Sequence, residues 1–200
     1  MVQVYHSHPE TSATLQEHLT QAINLVLSEN KRVLEKIGYS VIEHLTEKIA
    51  GAERIFVIGE GRSGLVIRMV AMRLMHLGYL VYVLGETTTP SLRKGDLLIA
   101  FSGSGSTGNV AMMVAKTKKI GGHIVGVTTQ SESPLGKMAD VLIEIEAAPK
   151  QDHSYQYSKQ YPGSLFEQAA LLLFDAIFHV LSQSLNKSAE MLWEMHTNLE

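Results

Sequence analysis

No cysteine occurs among the 200 residues. That excludes a disulfide framework and thiol catalysis. Excess basic charge is also missing: 17 Lys and Arg stand against 20 Asp and Glu, for a formal net charge of −3. The basic residues are scattered rather than striped, so the footprint of a nucleic-acid partner is lacking. No apolar run reads as long enough to cross a bilayer. The opening MVQVYHSHPE has no basic segment followed by an apolar one, so neither a secretory leader nor a membrane partner is expected. A soluble cytoplasmic protein is the expectation. No two of the nine histidines have the i, i+4 spacing of H-E-x-x-H, so no metal site is expected. His6 and His8 form a His-x-His in the N-terminal tail, a weak metal binder without a third ligand. No internal repeat and no second domain are evident.

What remains is a chain that is 45% hydrophobic and 18% charged, enough to fill a core. From Glu10 to Ile37 a helical stripe runs through Leu15, Leu19, Ile23, Leu27 and Leu34, and Gly38 breaks it. Val41, Ile42, Leu45 and Ile49 mark a second helix that ends near Gly51. These helices read as packing or oligomer surface. Five short strands follow, at Ile55–Ile58, Leu80–Leu84, Leu97–Phe101, His123–Thr128 and Val141–Ile145. Helical segments alternate with them, including one through His76 and a short turn opened by Ser133-Pro134. That alternation predicts right-handed crossovers and a parallel α/β sheet covered on both faces. A polar loop, 147–163, precedes a long helix from Ser164 to about Leu185. A last short helix carries Met191, Trp193, Met195 and His196. The division is 1–52 for N-terminal helices, 53–146 for the parallel core and 164–200 for C-terminal helices, all in one domain.

The chain is organised around DLLIAFSGSGSTGN, Asp96 to Asn109. A buried strand feeds Ser102-Gly103-Ser104-Gly105-Ser106-Thr107, and that turn feeds a helix. Glycine lets backbone N–H groups approach a ligand closely. The helix start adds unsatisfied donors and a positive dipole end. Ser102, Ser104 and Thr107 add hydroxyls. Such a cradle suits a phosphate. The plainer alternative is a tight connection with Ser104 as N-cap.

A dinucleotide is the rival ligand. Gly59, Gly61 and Gly64 match G-x-G-x-x-G between strand and helix, and Glu86 follows the second strand where such folds place a ribose-binding acid. Three features oppose it: the second cradle at Ser102–Thr107, the hydroxyls of Thr87, Thr88 and Thr89, and the lack of room for a catalytic domain. Two hydroxyl-lined turns at one crevice better suit one small phosphate ester.

The stretches GEGRSG, AMRLMHLG, GETTTP, SGSGST, GSLFEQ and the ending His196-Thr197-Asn198-Leu199-Glu200 resemble the 6-phospho-3-hexuloisomerase family of sugar isomerase (SIS) domain proteins. So do Ser133-Pro134-Leu135 and Ala139-Asp140. The resemblance runs from about Arg54 to the C-terminus. One departure stands out: the family usually has Glu where Ser106 stands. The resemblance implies an SIS three-layer sandwich with a five-stranded parallel sheet. It implies interconversion of D-arabino-3-hexulose 6-phosphate and D-fructose 6-phosphate, within formaldehyde fixation through ribulose monophosphate. It also implies no cofactor and a homotetramer built of dimers. A non-catalytic sugar-phosphate-sensing SIS module is the alternative.

Moving a carbonyl from C3 to C2 needs a base for the C2 proton and a group that helps protons pass between O2 and O3. Glu167, Glu86 and Glu60 are the base candidates, and Glu167 matches the family's catalytic acid in GSLFEQ. From the residues alone, Ser164-Leu165-Phe166-Glu167 equally fits a capping box. His196 is the candidate shuttle; unaided by the resemblance it reads as a surface histidine. His76 lies a full helix away from the phosphate end and could act only in a neighbouring subunit. Ser63 is expected to donate to substrate with Ser102, Gly103, Ser104, Gly105, Ser106 and Thr107. Arg62 is either a donor or solvated, Trp193 packs, and Asp140 reads as structural.

Overall fold

The computed structural model describes residues 12–148, 152 and 154–199; His6 and His8 lie outside them. Five parallel strands form one sheet in the order β2-β1-β3-β4-β5. They are β1 (Arg54–Gly59), β2 (Leu80–Val83), β3 (Leu97–Phe101), β4 (His123–Thr128) and β5 (Val141–Glu144). The central strand β3 is apolar and buried along its whole length, as a strand covered on both faces must be.

Successive side chains of each strand point to opposite faces, so the strands divide between two cores. On one face Ile55, Val57, Ile99, Phe101, Val125, Val127 and Ile143 pack with α2 (Tyr39–Ala50), α3 (Gly61–His76) and α6 (Ser164–Ser184). On the other, Phe56, Ile58, Leu98, Ala100 and Ile124 meet α4 (Gly108–Ile120) and α5 (Pro134–Met138). Each fully buried Leu, Ile or Phe contributes roughly 1.5–3 kcal/mol. The expected three-layer α/β sandwich is the architecture found.

Apolar residues at four-residue spacing, Leu15, Leu19, Ile23 and Leu27, run along an exposed face of α1 (Ser12–Leu34). Met191, Trp193, Met195 and Leu199, in and after α7 (Ala189–Trp193), are exposed as well. The expectation that no apolar run reaches membrane-spanning length is corrected by α6. An 18-residue stretch within its 21 residues has a mean hydropathy of 1.5, enough by length and composition. Its apolarity has a local cause: Phe166, Ala169, Ala170, Leu173, Phe174, Ile177 and Leu181 lie in the core beside α3 and the sheet.

Candidate active site

The strand order places the reversal of winding between β1 and β3, where Gly59 pairs with Phe101. Ligands of open α/β sheets bind at the carboxyl ends of strands at such a point. Both glycine-rich turns leave the sheet there, and each runs into a helix start, α3 on one face and α4 on the other. Gly59 and Gly64 close the first turn against each other. A Cβ on Gly64 would lie 2.7 Å from the Gly59 carbonyl oxygen. Ser63 is buried in the first turn of α3.

The second turn is tied down from behind. The Gly103 carbonyl accepts from Thr129 N at 3.0 Å, Thr129 Oγ1 at 2.9 Å and Thr128 Oγ1 at 3.1 Å. Gly105 N donates to Ser102 O at 2.9 Å, and Leu135 N donates to Gly105 O at 3.0 Å. With carbonyls committed to β4 and α5, the start of α4 is left to offer the N–H groups that have no intrahelical acceptor. Ser102 Oγ and Thr107 Oγ1 share a hydrogen bond of 2.9 Å. Ser104 is not the N-cap. The cap residue is Thr107, and Ser104 Oγ instead accepts from Ser106 N at 3.3 Å. Gly105, at φ +62°, prolongs the turn and delays the helix. Ser104 and Ser106 are exposed at the mouth, and Ser102 is buried at the base.

The first turn of α6 spans both turns. Phe166 touches Gly103, where a Cβ would lie 3.4 Å from the ring. Next to it, the Glu167 carboxylate is 3% exposed and is held by the Arg62 guanidinium from the first turn of α3. Arg62, Tyr161, Pro162, Ser164 and Glu167 line a cleft of 350 Å³. The capping-box alternative does not hold. The N-cap is Gly163, at φ +91°, which puts Ser164 inside the helix, and no side chain caps this end. The carboxylate is therefore directed to the cleft and not to its own backbone.

The other candidates are placed as follows. Glu86 pairs with Arg68, and both are about half exposed. Thr89 Oγ1 donates to Val83 O at 2.6 Å, which fastens the strand end. Asp140 accepts from Ile124 N at 2.8 Å and from Lys118 Nζ at 2.6 Å, as a structural residue would. His196 stacks on His76 with ring centroids 4.2 Å apart, and on Trp193 at 4.8 Å. That is the far end of α3, about 22 Å from its start at 1.5 Å per residue. Within one chain, His196 and Glu167 do not meet. Burial pushes the His76 pKa down, and His196 and Arg73 push it the same way.

One supporting network has no signal in the sequence, because its members are far apart in the chain. Glu29 of α1 accepts from Ser158 Oγ at 2.6 Å, Lys159 N at 2.8 Å and Gln160 Nε2 at 2.9 Å. Gln160 accepts from Gln168 Nε2, and Asn30 Nδ2 donates to Gln168 Oε1 at 2.8 Å. The network fixes the segment that leads into Gly163 and so sets where α6 begins. Burial raises the Glu29 pKa, but the bonds from Ser158, Lys159 and Gln160 and the charge of Arg32 outweigh it. The net direction is down from the ordinary 4.5. A depressed folded-state value means stability that is present above 4.5 and lost as pH falls through the folded value. Glu29→Gln is expected to melt at a lower temperature than wild type near pH 7. The two curves should converge as pH falls below 4.5, which thermal melts over the acid range check.

The SIS domain family matches residues 48–172. A 3-hexulose-6-phosphate isomerase from Mycobacterium gastri is 44% identical over 184 residues, covering 92% of this chain and 92% of that one. A Methanococcus jannaschii protein, whose crystal structure infers a molecular function of 3-hexulose-6-phosphate isomerase, superposes with a TM-score of 0.79. It is 34% identical and covers 90% of this chain and 99% of that one. The sugar isomerase domain of an RpiR transcription factor from Sphaerobacter thermophilus shares the fold at a TM-score of 0.70. It is 18% identical over 88% of this chain and 94% of that one. The chain belongs to the SIS domain family and is a homologue of its 3-hexulose-6-phosphate isomerases.

Proposed function

We propose that this chain is the isomerase that interconverts D-arabino-3-hexulose 6-phosphate and D-fructose 6-phosphate through a 2,3-enediol. The observation that carries the reading is the meeting of a hydroxyl- and glycine-rich turn with a buried carboxylate, Glu167, at one switch-point crevice. The relatives' names point the same way. In this reading Ser102, Ser104, Ser106 and Thr107, with the N–H groups at the start of α4, hold the phosphate, and Ser63 donates from the facing turn. Glu167 takes the C2 proton and returns it to C3, while Arg62 supplies its countercharge and orientation. The hydrogen lost at one carbon is regained at the next, so the reaction needs no external oxidant. The 3-ketose cannot close a stable ring: O5 or O1 would give four members, and phosphate blocks O6. Fructose 6-phosphate can close through O5, so ring opening is demanded in one direction only.

A coupled assay that forms fructose 6-phosphate from the 3-ketose tests the proposal. Binding of fructose 6-phosphate in a thermal melt without turnover would instead make the chain a sugar-phosphate sensor. A melt raised by NAD and not by fructose 6-phosphate would restore the dinucleotide reading.

His196 reaches a crevice in this reading only from a second copy of the chain, in an oligomer that also covers the exposed apolar residues of α1 and the C-terminal segment. A homotetramer built as a dimer of dimers, in the cytoplasm, fits it. Sedimentation is expected to give an oligomer, and removal of residues 191–200 to lower turnover more than melting temperature. A fully active monomer, or full turnover by that truncation, overturns this part.

A further inference from the structure

Glu60 follows the last residue of β1 and is the N-cap residue of α3, yet its side chain makes no capping bond. It crosses the switch-point crevice instead. Asn109 Nδ2, in the first turn of α4, donates to Glu60 Oε1 at 2.6 Å. Asn109 lies two residues after Thr107, so the carboxylate is anchored at the edge of the Ser102–Thr107 turn. It is exposed, and the neighbouring Arg62 is committed to Glu167. A carboxylate has about four acceptor positions, and Asn109 occupies one.

We propose that Glu60 is a specificity-determining residue of this crevice, and that its remaining acceptor positions take hydroxyl groups of the sugar chain whose phosphate sits on the Ser102–Thr107 turn. The proposal rests on the sugar-phosphate reading above. The chemistry separates the two ends of such a ligand. A phosphate dianion is repelled by a carboxylate, while a row of hydroxyl donors is attracted to one. Glu60 therefore marks the side of the crevice on which the polyol part lies. Position 106 on the facing turn, where the family resemblance leads one to expect Glu, carries an exposed Ser whose N–H is bonded to Ser104. Glu60 supplies from the β1 side the carboxylate that Ser106 does not supply from the β3 side.

The test compares Glu60→Gln and Glu60→Ala with wild type in three readouts: kcat/KM for fructose 6-phosphate, inhibition by inorganic phosphate, and melting temperature. Gln keeps an oxygen for Asn109 to donate to, while it removes the charge and replaces the other acceptor oxygen with a donor. Both variants are expected to lose about tenfold or more in kcat/KM, the scale of a hydrogen bond to a charged group. Inorganic phosphate is expected to inhibit them as well as or better than wild type. Adding Ser106→Glu to Glu60→Ala should recover part of the loss. An unchanged kcat/KM in Glu60→Gln overturns the proposal. So does parallel weakening of both ligands, which would make Glu60–Asn109 a strut, or no recovery in a folded double variant. If wild type does not turn over at all, the isomerase reading fails separately. Thermal shifts with fructose 6-phosphate and inorganic phosphate then still decide whether Glu60 distinguishes them.

Discussion

Glu167→Gln is expected to bind fructose 6-phosphate nearly as wild type does and to lose turnover by roughly 10²–10⁴-fold. The amide keeps the size of the carboxylate and an oxygen for Arg62 to donate to, but it cannot accept the carbon-bound proton. Stability should change little. Arg62 is 66% exposed and takes up water when its partner loses its charge, and Glu167 caps no helix end. A stability loss with near-normal turnover would be the mark of a structural carboxylate. Solvent exchange isolates the proton step: in deuterated water wild type should incorporate label at C3 of fructose 6-phosphate, and at C2 of the 3-ketose formed from it. A variant that incorporates it at the wild-type rate places the base elsewhere. Glu86 would be tested next, although its pairing with Arg68 leaves it exposed.

The strands were legible because each is a short apolar run bounded by glycine or polar residues. Leu97–Phe101 and His123–Thr128 match the expectation end for end. The phosphate-type turn was legible for the same local reason: hydroxyls and glycines stand between a strand pattern and a helix pattern. Where the helix begins was not. Ser104 and Thr107 are both acceptable caps locally, and the left-handed Gly105 decides between them only in three dimensions. The capping-box pattern at Ser164 is ambiguous for the same reason, since only in three dimensions does Gly163 turn the chain into the helix ahead of it. Partners set by sheet order were beyond reach. Arg62 and Glu167 are 105 positions apart, and they meet because α3 and α6 cover the same face. His76 and His196 were both legible as candidates, yet their mutual stacking needed the C-terminal segment to fold back along α3.

Gly105→Ala is expected to remove detectable sugar-phosphate binding and to lower the melting temperature by about 5–15 °C, from a loss of about 2–4 kcal/mol. Two separate costs combine. Gly105 has φ +62°, a left-handed conformation that strains alanine by itself. The added Cβ would also lie 1.9 Å from Ser133 Oγ, 2.5 Å from Ser133 Cβ and 2.9 Å from Thr128 Oγ1. Neither neighbour is free to retreat. Ser133 Oγ caps α5 by accepting from Gly136 N at 3.1 Å, and a lost cap costs about 1 kcal/mol. Thr128 Oγ1 holds the Gly103 carbonyl at 3.1 Å. Relief of the contact therefore moves the turn toward the crevice and disperses the Ser102, Ser104 and Thr107 hydroxyls. Gly78→Ala separates the two costs. It shares the left-handed strain, at φ +98°, but its Cβ meets nothing within 4 Å and it lies beyond the far end of α3. That variant should lose about 1–2 kcal/mol and keep its response to fructose 6-phosphate. If Gly105→Ala melts where Gly78→Ala does and still gains melting temperature with fructose 6-phosphate as wild type does, the Ser102–Thr107 turn does not hold the phosphate.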